Sequence, residues 1–214
     1  MYLKLKTNKA KHFAPRQEET AIYFLFARLF REAPTKDFLR TLNDPTWIEK
    51  SEQIAVEFAS LFLVAGEKII PPYESYYCDT LTIDASTACS PYFVPEPFPE
   101  GGLKGFLCGP SAQSVQNIYE TFGFELNPSF HDLPDHVSVE LEFMGRLHEL
   151  GKTNDAHQFF QEHLGRWVGF FLDKMTTQKV SDFYQVVALS LKEFLTTIPS
   201  HPTTAVAPAP RLCV

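Results

Sequence analysis

The sequence predicts an all-α fold, a single-domain helical bundle with one long irregular loop. Two observations carry that prediction. Apolar side chains recur at three- and four-residue steps along most of the chain, and the one sustained departure, residues 63–109, is broken by Pro71, Pro72, Pro91, Pro95, Pro97 and Pro99. The composition agrees: 214 residues, 44% hydrophobic and 21% charged, with 20 Phe, describe an aromatic-rich globular chain able to bury a large core.

The elements follow in order. Glu18 to Arg31 carries Ala21, Phe24, Leu25, Leu29 and Phe30 on a helical face, and Pro34 follows its end. A short helix is expected over 36–43. A longer one is expected from Ile48 to Phe62, with Ile54, Phe58, Leu61 and Phe62 on one side. Ser111 is a candidate cap for a helix carrying Val115, Ile118, Tyr119 and Phe122, with Gly123 as its stop. Three more helices are expected near 135–150, 155–177 and 181–197. Thr80 to Asp84 is at most a short strand. Residues 1–16 read as a basic, solvated arm, 17–198 as the helical domain, and 199–214 (SHPTTAVAPAPRLCV from Ser200 on) as a disordered Pro/Ala-rich tail.

Charge and cysteine usage narrow the function classes. The net charge is −7, and the first 16 residues hold five basic and no acidic side chains, so the body is more acidic than the whole. Such a body repels nucleic acid and favours a cationic partner. No apolar stretch approaches the roughly 20 residues of a membrane span, so an integral membrane protein is not expected. No secretion signal is visible, and Cys78, Cys89, Cys108 and Cys213 have no C-x-x-C spacing; a cytoplasmic chain with reduced thiols is expected.

Several chemistries fail on spacing. Gly151-Lys152-Thr153 looks like the end of a phosphate loop, but Arg146 stands where the loop needs glycine and the preceding residues read as helix. No histidine has a glutamate three residues before it, and neither His-x-x-x-His nor His-Glu-x-x-His occurs, so no metal or cofactor is expected.

Two motifs remain. LPDHVSVELEF, Leu133 to Phe143, places Pro134, Asp135 and His136 before an apolar helix. Pro134 and Asp135 suit a first helical turn, where a carboxylate meets free N–H groups, yet capping leaves His136 unexplained. An acid/base pair acting on a nucleotide is the enzymatic alternative, although adjacent helical residues diverge by about 100°. PPYESYY, Pro71 to Tyr77, is either a rigid turn packing aromatics on the core or a preorganised wall of rings for a peptide. His163 and Trp167 read as core.

Three blocks in this order resemble the TorD/DmsD/NarJ family of molybdoenzyme maturation chaperones: Glu57 to Phe62 followed by PPYESYY; LPDHVSVELEFM; and Phe160-x-x-His163-Leu164-x-x-Trp167. Leu133 stands where that family usually has glutamate, and the segment from Cys78 to Gly105 is longer than usual. The resemblance implies a TorD-like, cytoplasmic, non-catalytic chaperone. Its partner would be the apo catalytic subunit of a molybdopterin-dependent oxidoreductase, bound through an N-terminal leader of twin-arginine type. It implies binding at Pro72, Tyr73, Asp135 and His136, then at Phe58, Leu61 and Phe62, and at Gly109. Glu74, Asp135 and Glu140 are expected to pair with guanidinium groups around a groove lined by Phe58, Leu61, Phe62, Tyr73 and Tyr76. A monomer or a dimer swapped through residues 124–134 is implied. An assembly scaffold that binds the mature client is the remaining alternative.

Overall fold

A computed structural model describes residues 2–5, 17–81, 103–105, 107–178 and 180–198. The expected tail, residues 82–102 and 106 of the long loop, and residues 1 and 6–16 of the arm lie outside these. The helices are α1 (Gln17–Arg31), α2 (Lys36–Thr41), α3 (Pro45–Glu49), α4 (Ser51–Phe58), α5 (Glu74–Cys78), α6 (Pro110–Thr121), α7 (Val137–Glu149), α8 (Thr153–Glu162), α9 (Leu164–Thr177) and α10 (Asp182–Thr196). The all-α prediction holds. Two short antiparallel pairs accompany the helices: β1 (Leu3–Leu5) with β4 (Phe124–Leu126), and β2 (Thr80–Leu81) with β3 (Leu103–Lys104).

The helix α7 is the axis of the bundle. Every residue from Val137 to Gly145 is buried, including Glu140 and Glu142, and α1 lies along it. Around this axis the aromatics interlock. Phe30 meets Phe62 and Phe171 edge-on, and Phe143 packs with Tyr119, Phe124 and Phe159. Rings crossed edge-to-face in this way gain from their quadrupoles as well as from burial.

Four expectations need correction. The helix expected over Ile48–Phe62 is two helices plus a π-helical turn. Asp44 accepts from the Thr46 N–H and Pro45 opens α3, so a separate cap signal starts a short helix before α4. Beyond α4, residues Ala59–Leu63 wind as a π-helix closed by Val64 N–H on Ala59 O at 2.8 Å. The helix expected over 155–177 breaks at His163 (φ −128°, ψ −94°), whose imidazole lies against the Glu74 carboxylate. Ser111 is not the cap of α6: Gly109 holds that position, and Ser111 lies in the first turn. Lastly, the first residues are not a solvated arm. Leu3 is buried and pairs with Leu126, and Glu142 accepts from the N–H groups of Tyr2 and Leu3. Gly123 ends α6 at positive φ, as expected, and Gly151 ends α7 in the same way.

Candidate functional site

The two sequence motifs meet as backbone. Tyr73 and His136 form an isolated antiparallel bridge, with Glu74 N–H on Asp135 O at 3.1 Å and Val137 N–H on Pro72 O at 2.8 Å. The rings of Tyr73 and His136 cross edge-on, 5.2 Å between centroids. The proline pair explains the geometry: it holds the chain extended, ready to pair as a strand, and Val137 N–H, free at the helix start, takes the Pro72 carbonyl. Tyr73 and Asp135 therefore share one locus.

That locus is not an open, acid-rimmed groove. Glu74, Asp135 and Glu140 each have 0% exposure. Asp135 does not cap α7. Its Oδ2 accepts from Ser75 N–H at 2.8 Å, tying the loop to the helix start. His136 is the cap: its Nδ1 accepts from Ser138 N–H at 3.1 Å. Glu74 Oε2 lies 2.9 Å from His163 Nδ1, and Glu140 Oε2 accepts from Trp167 Nε1 at 3.2 Å. So the third motif block closes onto the first two from α9. His163 and Trp167 are core, as expected, but they are core residues that satisfy buried acids.

Burial sets the protonation of this cluster. Loss of solvent pushes the Asp135 carboxyl up from its ordinary value, against the Ser75 hydrogen bonds. Burial pushes Glu140 well up, and the neighbouring Glu74 charge pushes it further. Burial lowers His136 to about 4, so its ring is neutral and its Nδ1 is free to accept. The acid that reaches solvent here is Asp132, which accepts from the Tyr73 hydroxyl at 2.8 Å.

The expected groove residues are distributed differently. Phe58, Leu61 and Phe62 face the core: Phe62 touches Phe58, Phe30 and Tyr184. Pro72 is buried, while Tyr73 and Tyr76 are half-buried. Lys174 lies over the rings of Tyr76 and Tyr77 at 4.9 and 5.0 Å. Gly109 serves a structural contact. Asp79 accepts from Ser111 N–H at 3.0 Å, and a Cβ on Gly109 would sit 2.1 Å from the Asp79 carboxylate. Asp79 and Asp132 were missed in the sequence because each works through a partner that only the fold brings close, and Ser138 because the helix start was read from Asp135 rather than from His136, two residues before it.

Asp135 Oδ2 and His136 Nδ1, on the two residues of the nucleotide alternative, both accept backbone N–H groups. Among the described residues no group of three or more His, Cys, Asp or Glu is placed to hold a metal ion. No helix among them is long and apolar enough to cross a membrane.

The family model for the nitrate reductase delta subunit matches residues 31–173, which contain all three motif blocks. The chain belongs to this family. The chaperone protein TorD of Shewanella pealeana is 24% identical over 185 residues, covering 80% of this chain and 84% of that one. The TorD of a Psychrobacter species is 26% identical over 96 residues, 45% of this chain and 33% of its own length. The family's fold recurs in a crystal structure assigned to a redox enzyme maturation protein from Archaeoglobus fulgidus. That structure has a TM-score of 0.55 and 19% identity, covering 88% of this chain and 99% of that one.

Proposed function

We propose that this chain is a cytoplasmic, non-catalytic chaperone for a molybdenum-cofactor oxidoreductase. It binds the N-terminal, twin-arginine-type leader of the apo catalytic subunit and assists cofactor insertion and assembly before export. The observation that carries this reading is the family match over residues 31–173, the span in which all three motif blocks converge on the Tyr73–His136 bridge. An acidic body suits a cationic leader, and half-buried tyrosines suit peptide contact. In this reading Tyr73 and Tyr76 are the expected positions that a peptide touches without the fold moving. Phe58, Leu61, Phe62, Pro72, Glu74, Gly109, Asp135, His136 and Glu140 hold the surface in shape.

The test uses fluorescent leader peptides from the host's molybdopterin oxidoreductase catalytic subunits, titrated against the purified chain. At least one leader binds, its affinity falls with added salt, and Tyr73→Ala weakens it. If no leader binds at low salt, the reading is wrong. If instead the client lacking its leader binds undiminished, the scaffold reading takes its place.

A further inference from the structure

The motif locus is a poor seat for the apolar part of a leader. Its expected apolar wall is packed into the core, and Lys174 lies over the Tyr76 and Tyr77 rings, which leaves little apolar surface there. A different surface has the required chemistry. Between α3, α4 and the start of α10 lies a cleft of about 590 Å³, within the range of about 300–1,000 Å³ usual for ligand pockets. Its floor is apolar, with Trp47 and Phe183 crossed edge-on at 5.3 Å and Ile54 beside them. Val56 lines it at 72% exposure.

The cleft continues past Glu57, Ser60 and Lys68 into a second cavity of about 310 Å³ along the π-helical turn. That turn explains why apolar surface is left there. The extra residue per turn carries Leu61 and Phe62 inward and leaves Leu63 and Val64 outside at 66% and 59% exposure.

The rim supplies the sign of the partner. Glu52, Glu57 and Asp182 line the cleft against Lys50 and Lys68, and Lys50 leans over the Trp47 ring at 6.0 Å. Glu67 adds a further acid in the adjoining cavity. We infer that this cleft is the seat of a peptide segment in which arginine is followed by a short apolar helix, its apolar face on Trp47, Ile54, Val56 and Phe183 and its cation on the acidic rim. The inference rests on the proposed leader binding and places the apolar stretch of the leader away from the Tyr73–His136 bridge, beside Glu57 and Ser60 of the first block.

The experiment takes the tightest-binding fluorescent leader of the set above and the full chain. Val56→Lys and Glu52→Lys change exposed side chains, so the thermal midpoint stays within a degree or two while leader affinity falls at least tenfold. Phe170→Lys, at a 65% exposed position on the cleft beside Tyr77, leaves affinity unchanged. Undiminished binding in both cleft variants overturns the inference and leaves the proposed function standing. No binding by the wild-type chain removes both. Conversion of a wild-type dimer to monomer by the cleft variants gives the cleft to a second copy and overturns the inference. Tighter leader binding in Arg211→Glu gives it to the chain's own tail, with the same consequence.

Discussion

His163, at the bend between α8 and α9, places its Nδ1 2.9 Å from the carboxylate of Glu74, 89 residues earlier at the head of the PPYES loop. The imidazole also stacks on Phe159 at 5.2 Å, which holds its plane where Nδ1 meets the loop. One contact thus joins the third motif block to the first.

Removing the imidazole leaves the Glu74 carboxylate fully buried without this partner. His163→Ala is expected to cost about 2 kcal/mol, in the range for stranding a buried polar group, read as a lower urea midpoint at unchanged slope. Glu74→Gln keeps the shape and removes a charge beside Glu140, so it costs less. The opposite order would show that the pair does not hold the loop.

The acid cluster gives a pH dependence of definite sign. Asp135 and Glu140 bind protons more tightly folded than unfolded. Their favourable contribution is fully present below the unfolded carboxyl pKa of about 4 and is lost as pH rises through the folded values. Glu140→Gln removes that loss and keeps an acceptor for Trp167 Nε1. Its thermal midpoint relative to wild type therefore rises as pH is raised above the unfolded carboxyl value of about 4. A constant offset above that value would mean that Glu140 is ionised throughout.

The helices with one clean apolar face, α1 and α10, were legible to within a residue or two, because burying one face is what their spacing encodes. The break at His163 was not. Phe159 and Phe160 before it and Trp167 and Phe171 after it keep a near-continuous helical period, so only the pull of Glu74 and the bend itself distinguish two helices from one. The motifs were correctly brought to one locus, but charge was read as exposure. Glu140 and Glu142 lie in the run VSVELEFM, where apolar neighbours occupy every face of the helix. That was the available signal that these acids are inside, and the compensating groups, Trp167 and Arg31, are remote in sequence.

Glu142 makes the second buried ion pair a test of how the N-terminus is held. It pairs with Arg31 of α1, which also lies over the Tyr2 ring at 4.1 Å, and it accepts from the N–H groups of Tyr2 and Leu3. Arg31→Ala leaves a buried carboxylate short of its main partner, and a loss of about 3 kcal/mol or more is expected. Hydrogen exchange of the Leu3 and Leu5 amides accelerates with it, since β1 loses its anchor. Replacing both partners together, Arg31→Met with Glu142→Met, is expected to cost less than Arg31→Ala alone.

The cap of α7 offers the most direct separation of the roles of Asp135 and His136. The neutral His136 ring accepts the Ser138 N–H, and protonation at Nδ1 would turn that acceptor into a donor facing another donor. The His136 pKa is depressed to about 4 in the fold against about 6.5 unfolded, so its contribution is present above pH 6.5 and is lost as pH falls through about 4. His136→Asn keeps a capping acceptor without a titrating ring. Its stability at pH 7 stays within about 1 kcal/mol of wild type, and the acid side of its stability profile is flatter between pH 6.5 and 4. His136→Ala loses the cap, about 1 kcal/mol, at pH 7. Were Asp135 the true cap, His136→Ala would be neutral, and the whole helix-start penalty would appear in Asp135→Ala.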